Sequence, residues 1–350
     1  MSSVNTLEIC LPDDWHLHVR DGEFLPDLLR HTASQFGRAI IMPNLKPPVT
    51  NADMAIAYKT RILNALPPGS NFEPLMVLYL TDNTSADDVK RAKEVGVVGF
   101  KLYPAGATTN SDAGVTDIKK CADALDAMSD CGMPLLVHGE VTHSEIDVFD
   151  REAVFIDQVL EPLRERHPGL KVVFEHITTK QAAQYVESAD TTRLGAIAAT
   201  ITPQHMLYNR NAIFTGGIRP HYYCLPILKR EEHRQELVRV AISGNPRFFL
   251  GTDSAPHLKG TKENACGCAG CYTAWHAMPL YAEVFDAANA LSRLEGFASQ
   301  FGSDFYGLPR NTGKLTLRRE TQQIPNEFPM GNGTVVPLRA GETIAWSIVG

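Results

Sequence analysis

The sequence predicts a (β/α)8 TIM barrel with a short C-terminal extension, and three observations carry that prediction. Eight short apolar runs recur along the chain, amphipathic stretches of helical length separate them, and out-of-place polar residues sit at the ends of the runs. In order, the runs are "TLEICLPDDWHLHV", "RAIIMPN", "EPLMVLYL", "GVVGFKLYP", "MPLLVHGE", "KVVFEHIT", "LGAIAATIT" and "RFFLGTDSAP". Each contains a short stretch rich enough in Val, Ile, Leu and Phe for a buried strand. Helices are expected at 24–35, 52–65, 86–95, 116–129, 151–166, 180–187 and 229–243. The third illustrates the signals: Ser85 precedes it as a cap, Asp87 and Asp88 lie in its first turn, and Gly96 follows its end. Strand and helix alternating eight times favour a closed parallel barrel, with an open doubly wound sheet as the alternative. The barrel is expected over residues 1–310. Residues 311–350, richer in Thr, Pro and Gly, read as an extension packed on it.

Composition narrows the function classes. The 44% hydrophobic content suits a globular chain with a sizeable core. Lys and Arg number 33 against 40 Asp and Glu, a formal charge of -7 with no basic stripe, so neither nucleic acid nor an anionic membrane is an expected partner. The start "MSSVNTLEICLPDD" lacks a cationic region followed by an apolar core, and no run approaches a membrane span. Seven scattered cysteines without an export signal point to reduced thiols and a cytoplasmic location.

The polar surprises share one place in the scheme. His16 and His18 close the first strand, Lys101 the fourth, His138 the fifth, His176 the sixth and Asp253 the eighth. In a parallel barrel these ends open on one face, the face that carries chemistry. Residues two apart on a strand point to the same side, so His16 and His18 form half of a divalent-metal site. An H-x-H alone says little, and Lys101 alone reads as an ammonium snorkelling from a strand end. Five such strand ends together point to a metal centre. Four histidines and a carboxylate exceed the three protein ligands of a single catalytic zinc, so two ions are expected, and two ions need a bridge. A buried lysine beside cations favours the neutral amine, which can add carbon dioxide and become an anionic carbamate with one oxygen for each ion.

These residues stand in a wider pattern. "DWHLHVRDG", "MPN", "GFKLYPAGATTNS", "LLVHGE", "FEHIT", "CLPILK" and "GTDSAPH" with "CGCAGC" together resemble the dihydroorotases, in particular the shorter bacterial and fungal type within the metal-dependent amidohydrolase superfamily. The resemblance runs in order from about residue 7 to 310. It implies two Zn2+ per subunit: His16, His18 and Asp253 on the more buried ion, His138 and His176 on the second, and carboxylated Lys101 between them. It further implies that Arg20, Asn44 and His257 hold the substrate carboxylate and that Thr108 and Thr109 ride on a lid. Main-chain contacts are expected at Leu225 and Ala269. The implied reaction is reversible hydrolysis of the cyclic amide of dihydroorotate to N-carbamoyl-aspartate. A metal-bridged water attacks, and Asp253 takes its proton and passes it to the departing ring nitrogen. The expected partner is the small-molecule substrate, and a homodimer is expected.

Two other readings are weighed beside this one. A dihydropyrimidinase or allantoinase would use the same metals, but those relatives usually carry several dozen residues before H-x-H and lack the set Arg20, Asn44 and His257. A non-catalytic scaffold on the same barrel would have lost ligands, and none is substituted here. "CGCAGC" puts three cysteines in six residues, short of the four ligands a structural zinc takes, and reads as a glycine-bearing loop whose backbone approaches the ligand. His31, His143, His167 and His233 read as structural. His205 and His221 fall on the catalytic side without a further assignment.

Overall fold

The structure, a computed structural model, describes residues 5–349. Strand β1 (Thr6–Cys10) precedes eight parallel strands that neighbour one another in chain order: β2 (Asp13–Leu17), β3 (Arg38–Ile41), β4 (Glu73–Tyr79), β5 (Gly99–Leu102), β6 (Leu135–Val137), β7 (Val172–Phe174), β8 (Ile197–Ile201) and β9 (Phe248–Leu250). Parallel neighbours cannot be joined by tight turns, and helical crossovers supply the connections. A parallel bridge from Leu17 to Ser254 closes the ring. At that seam His18 N donates to Ser254 O at 3.1 Å and Asp253 N to His16 O at 2.9 Å. The closure therefore places the H-x-H pair and the last-strand aspartate side by side.

Alternation along the strands sends Ile40, Val77, Leu136, Val173, Ala198 and Phe249 into the barrel, where they pack as one cluster with Trp15. The bottom is plugged by helix Phe301–Tyr306. Tyr306 stacks on Trp15 at 4.6 Å between ring centroids, and a Cβ at Gly302 would fall 1.9 Å from the Trp15 indole nitrogen. Polar chemistry is thereby confined to the opposite, C-terminal mouth.

The structure departs from the expected elements in several places. The single strand expected at 6–19 is two, because Pro12 has no N–H for the ladder; its carbonyl instead accepts from Gly37 N at 2.9 Å. Thr6–Cys10 pairs antiparallel with β10 (Lys314–Gln323) of the C-terminal segment. After β11 (Phe328–Met330) and β12 (Gly333–Val335), β10 is flanked on its other side by β13 (Thr343–Val349). The helix expected at 151–166 contains a π turn over Ile156–Leu160, just ahead of Pro162, whose missing N–H breaks the ordinary ladder. A helix at Ala277–Ala287 was not expected, since it is apolar nearly all round and shows no helical period. The tertiary reason is that β13 covers its outer side: Ala345 N donates to Glu283 Oε1 at 2.7 Å and Trp346 Nε1 to Asp286 Oδ2 at 3.3 Å. No helix among the described residues is long and apolar enough to cross a membrane.

The extension is tied down by a titratable contact. His276, wholly buried, donates from Nε2 to the carbonyl of Leu338 at 3.0 Å, and burial pushes its pKa down to about 3. His205 is pushed down to about 4 by the same cause. Below the unfolded value of 6.5 the unfolded chain then binds protons that the folded chain refuses, so stability is lost as pH falls from 6.5 toward 3. Each such histidine contributes up to about 1.4 kcal/mol per pH unit. Urea midpoints should fall between pH 7 and 5. His276→Gln, which keeps a donor for Leu338, should flatten that dependence; an unchanged slope would show that His276 is not one of its sources.

Candidate active site

The mouth of the barrel holds a narrow cavity whose empty space, open solvent at its mouth included, is about 340 Å³. It is lined by His16, His18, Arg20, Asn44, Thr108, Thr109, His138, His176, Leu225, Asp253 and Ala269, together with Tyr103, Ala255 and Gly270. Of the site residues singled out in the sequence, Lys101 and His257 are not among the lining: Lys101 is wholly buried, and His257 lies beside Arg20.

Three acceptor atoms converge at the closing seam. His16 Nε2 and His18 Nε2 are 3.4 Å apart, and each approaches Asp253 Oδ1, at 3.3 and 3.2 Å. Ligands about 2.1 Å from a common cation are separated by about this distance. His176 adds a buried Nδ1 with no partner, and its ring centroid lies 4.8 Å from those of both His16 and His138. Convergent lone pairs, a carboxylate and an orphaned imidazole nitrogen fit a divalent cation. Among the described residues, both groupings able to hold one contain His16: His16, His18 and Asp253, and His16, Glu175 and His176.

The supporting carboxylates set which ring nitrogens face the cavity. His138 Nε2 contacts Glu140 Oε2 at 2.7 Å, which leaves its Nδ1 free. His16 Nδ1 lies 3.0 Å from Glu175 Oε1, off the line a hydrogen bond needs but close enough for an electrostatic contact, and its Nε2 faces Asp253. Burial alone would lower the His16 pKa; the carboxylates of Glu175 and Asp253 outweigh it and raise it to about 9. His18 is pushed down to about 4 by burial with help from Arg20. Asp253 is held well below the usual carboxylate range because His16 and His18 outweigh its own desolvation. Asp14 staples the seam: it accepts from Thr252 N at 2.9 Å, Thr252 Oγ1 at 2.6 Å and His16 N at 3.1 Å. Arg20, His176 and Asp253 all adopt positive φ, at 58°, 40° and 45°, so the backbone is strained where the site residues turn inward.

Lys101 is wholly buried and its Nζ binds Glu175 Oε2. Burial lowers its pKa against the pull of that carboxylate. The unmodified ammonium is thus satisfied by Glu175 rather than snorkelling. A carbamate here would meet the Glu175 charge, so a bridging role requires the Lys101 head to leave that carboxylate, with Glu175 retaining only its His16 contact. Sequence reading missed Glu175. The signal was present: it follows Val173 by two and so shares the inward face of the strand.

An anion cradle occupies one rim. Arg20 Nε donates to Pro256 O at 2.7 Å, and its Nη2 lies 3.0 Å from His257 Nε2. That nitrogen is also 2.9 Å from Ala269 O, so it accepts from Arg20 in one tautomer and donates to the carbonyl in the other. Asn44 Nδ2 donates to Thr109 O at 3.1 Å, tying the loop after β5 across the opening. Ser111 braces that loop, donating to Thr108 O at 2.6 Å.

A closed parallel barrel with histidine and aspartate side chains gathered at its C-terminal mouth is the architecture of an amidohydrolase, and the family model described as "Amidohydrolase family" matches residues 13–320. A dihydroorotase of Ralstonia nicotianae is 67% identical, over 99% of this chain and 100% of its own length. The solved dihydroorotase of Campylobacter jejuni superposes with a TM-score of 0.90 at 37% identity, covering 100% of this chain and 99% of that one. The Saccharomyces cerevisiae dihydroorotase, solved in complex with 5-fluoroorotic acid, gives 0.88 at 34% identity with 99% of each chain covered. The chain belongs to the amidohydrolase family and, within it, to the dihydroorotases.

Proposed function

We propose that the chain interconverts dihydroorotate and N-carbamoyl-aspartate in pyrimidine biosynthesis, on a binuclear zinc centre held by His16, His18, His138, His176, Asp253 and carboxylated Lys101. The observation that carries this reading is the sharing of one cavity by a histidine–aspartate cluster and a carboxylate cradle. Two divalent ions would lower the pKa of a water shared between them and polarise the amide carbonyl. The chain's own residues do the rest. Arg20, Asn44 and His257 hold the substrate carboxylate through charge-assisted hydrogen bonds and so aim the ring amide at the cluster. Asp253, ionised across the neutral range, takes a proton at its carboxylate and returns it to the ring nitrogen. Thr108 and Thr109 close the opening against water. The reverse direction uses the same groups. A homodimer in the cytoplasm belongs to the same reading.

The test compares turnover of dihydroorotate with that of dihydrouracil, which lacks the carboxylate, alongside metal analysis. Dihydroorotate should be strongly preferred, with two equivalents of metal bound. Arg20→Met should raise KM for dihydroorotate by about 10- to 100-fold, the worth of a charge-assisted hydrogen bond, while leaving dihydrouracil nearly unaffected. Preference of the wild type for dihydrouracil would sink the assignment.

A further inference from the structure

Lys262 belongs to none of the groups above. It lies in the segment after β9, only 4% exposed, and its partners are carbonyls rather than a carboxylate. Nζ donates to Tyr223 O at 2.9 Å, Cys268 O at 2.8 Å and Gly270 O at 2.6 Å. An ammonium has three donors, and all three are used. The acceptors come from two loops. Tyr223 stands two residues before Leu225, while Cys268 and Gly270 bracket Ala269, and both Leu225 and Ala269 line the cavity. Gly270 N also donates to Tyr223 O at 3.0 Å, so the loops meet at the same point.

The clamp leads directly to the anion cradle. Gly270 has φ 152°, and a Cβ there would lie 2.5 Å from Ala255 O and 3.0 Å from His257 Cδ2. The backbone of Ala269 and Gly270 is thus pressed against His257, whose Nε2 stands between Ala269 O and Arg20 Nη2. Without the ammonium, Cys268 O and Gly270 O would lose their donor in a buried space, and Tyr223 O would keep only Gly270 N, an arrangement that pushes the carbonyl dipoles apart.

We propose that Lys262 is a positioning residue for the carboxylate end of the cavity. Its ammonium locks the loop carrying Ala269 to the loop carrying Leu225 and so fixes where His257 and Arg20 meet the substrate. It also gives the glycine-bearing segment "CGCAGC" its anchor. The proposal deepens the dihydroorotate reading and rests on it for the substrate.

The test uses full-length wild type, Lys262→Met and Lys262→Gln, with dihydroorotate kinetics and amide hydrogen exchange measured on each. Lys262→Met should raise KM by about tenfold or more with kcat within about threefold, the signature of lost ground-state positioning, and Lys262→Gln, which keeps two donors, should fall between. Exchange should quicken at 223–226 and 266–271 and stay unchanged elsewhere. An unchanged KM in folded Lys262→Met, or exchange that rises uniformly as KM and kcat worsen together, would overturn the positioning role. If Lys262→Met fails to fold, Lys262→Gln carries the same comparison. If wild type itself does not turn over dihydroorotate, the functional reading falls and exchange alone decides: localised loss supports the clamp, and uniform or absent change refutes it.

Discussion

Lys101→Ala is expected to lower turnover by at least about 10³-fold, the scale of losing metal assistance, and a short carboxylic acid such as acetate or propionate should restore part of it. The rescue would follow from supplying two oxygens where the proposed carbamate stood. A second consequence comes from the structure alone. In the metal-free protein with Lys101 unmodified, Glu175 is wholly buried and Lys101 is its closest ion partner, so alanine leaves the carboxylate with only its electrostatic contact to His16. Breaking a buried pair from one side typically costs about 3–5 kcal/mol. Lys101→Ala should therefore melt earlier, and adding Glu175→Gln should recover much of the stability without recovering turnover. That double variant separates what the unmodified lysine does for stability from what its proposed carbamate does for turnover. Full activity in Lys101→Ala would remove the bridging role, and no recovery of stability on adding Glu175→Gln would remove the ion-pair account.

Asp253→Asn should cost about 10²- to 10⁴-fold in kcat, the range for a lost general acid–base group. Asparagine preserves the shape and an oxygen facing His16 and His18, but it cannot take up a proton at neutral pH. The substitution also removes one of the two carboxylates that hold the His16 pKa at about 9, so the His16 pKa should fall in the metal-free protein. An NMR titration of His16 checks that shift independently of turnover. Retained kcat in Asp253→Asn would exclude the aspartate as the proton carrier.

The site was legible in the sequence to the extent that its residues announce themselves at strand ends. Eleven of the cavity-lining residues were singled out from the sequence and the family pattern, because strand period and barrel topology bring successive C-terminal strand ends to one mouth. Three supports were not. Glu175 is masked by the neighbouring histidine in "FEHIT", Glu140 by its place after a glycine, and Lys262 by its position at the end of the short helix Lys259–Lys262 among ordinary surface residues. Glu140 meets His138 two residues away, whereas the other two act through a contact with a residue distant in sequence, Glu175 with His16 and Lys101 and Lys262 with Tyr223. No local period encodes such a pairing. The same holds for the helix at Ala277–Ala287, whose all-round apolar surface makes sense only once β13 lies over it.

What the amino-acid sequence determines by itself is therefore the eight barrel strands, most of the helices between them and the row of ligand-type residues at the strand ends. These follow from side-chain periodicity and short-range caps, which are local physics. Only the tertiary structure decides which carboxylate faces which imidazole and that Thr6–Cys10 leaves the barrel for the C-terminal sheet. It alone shows that the ammonium of Lys101 rests on Glu175 and that of Lys262 on three carbonyls. The physical reason is desolvation: a buried charge must find its partner wherever the closed ring places one, and that choice is made across the barrel rather than along the chain.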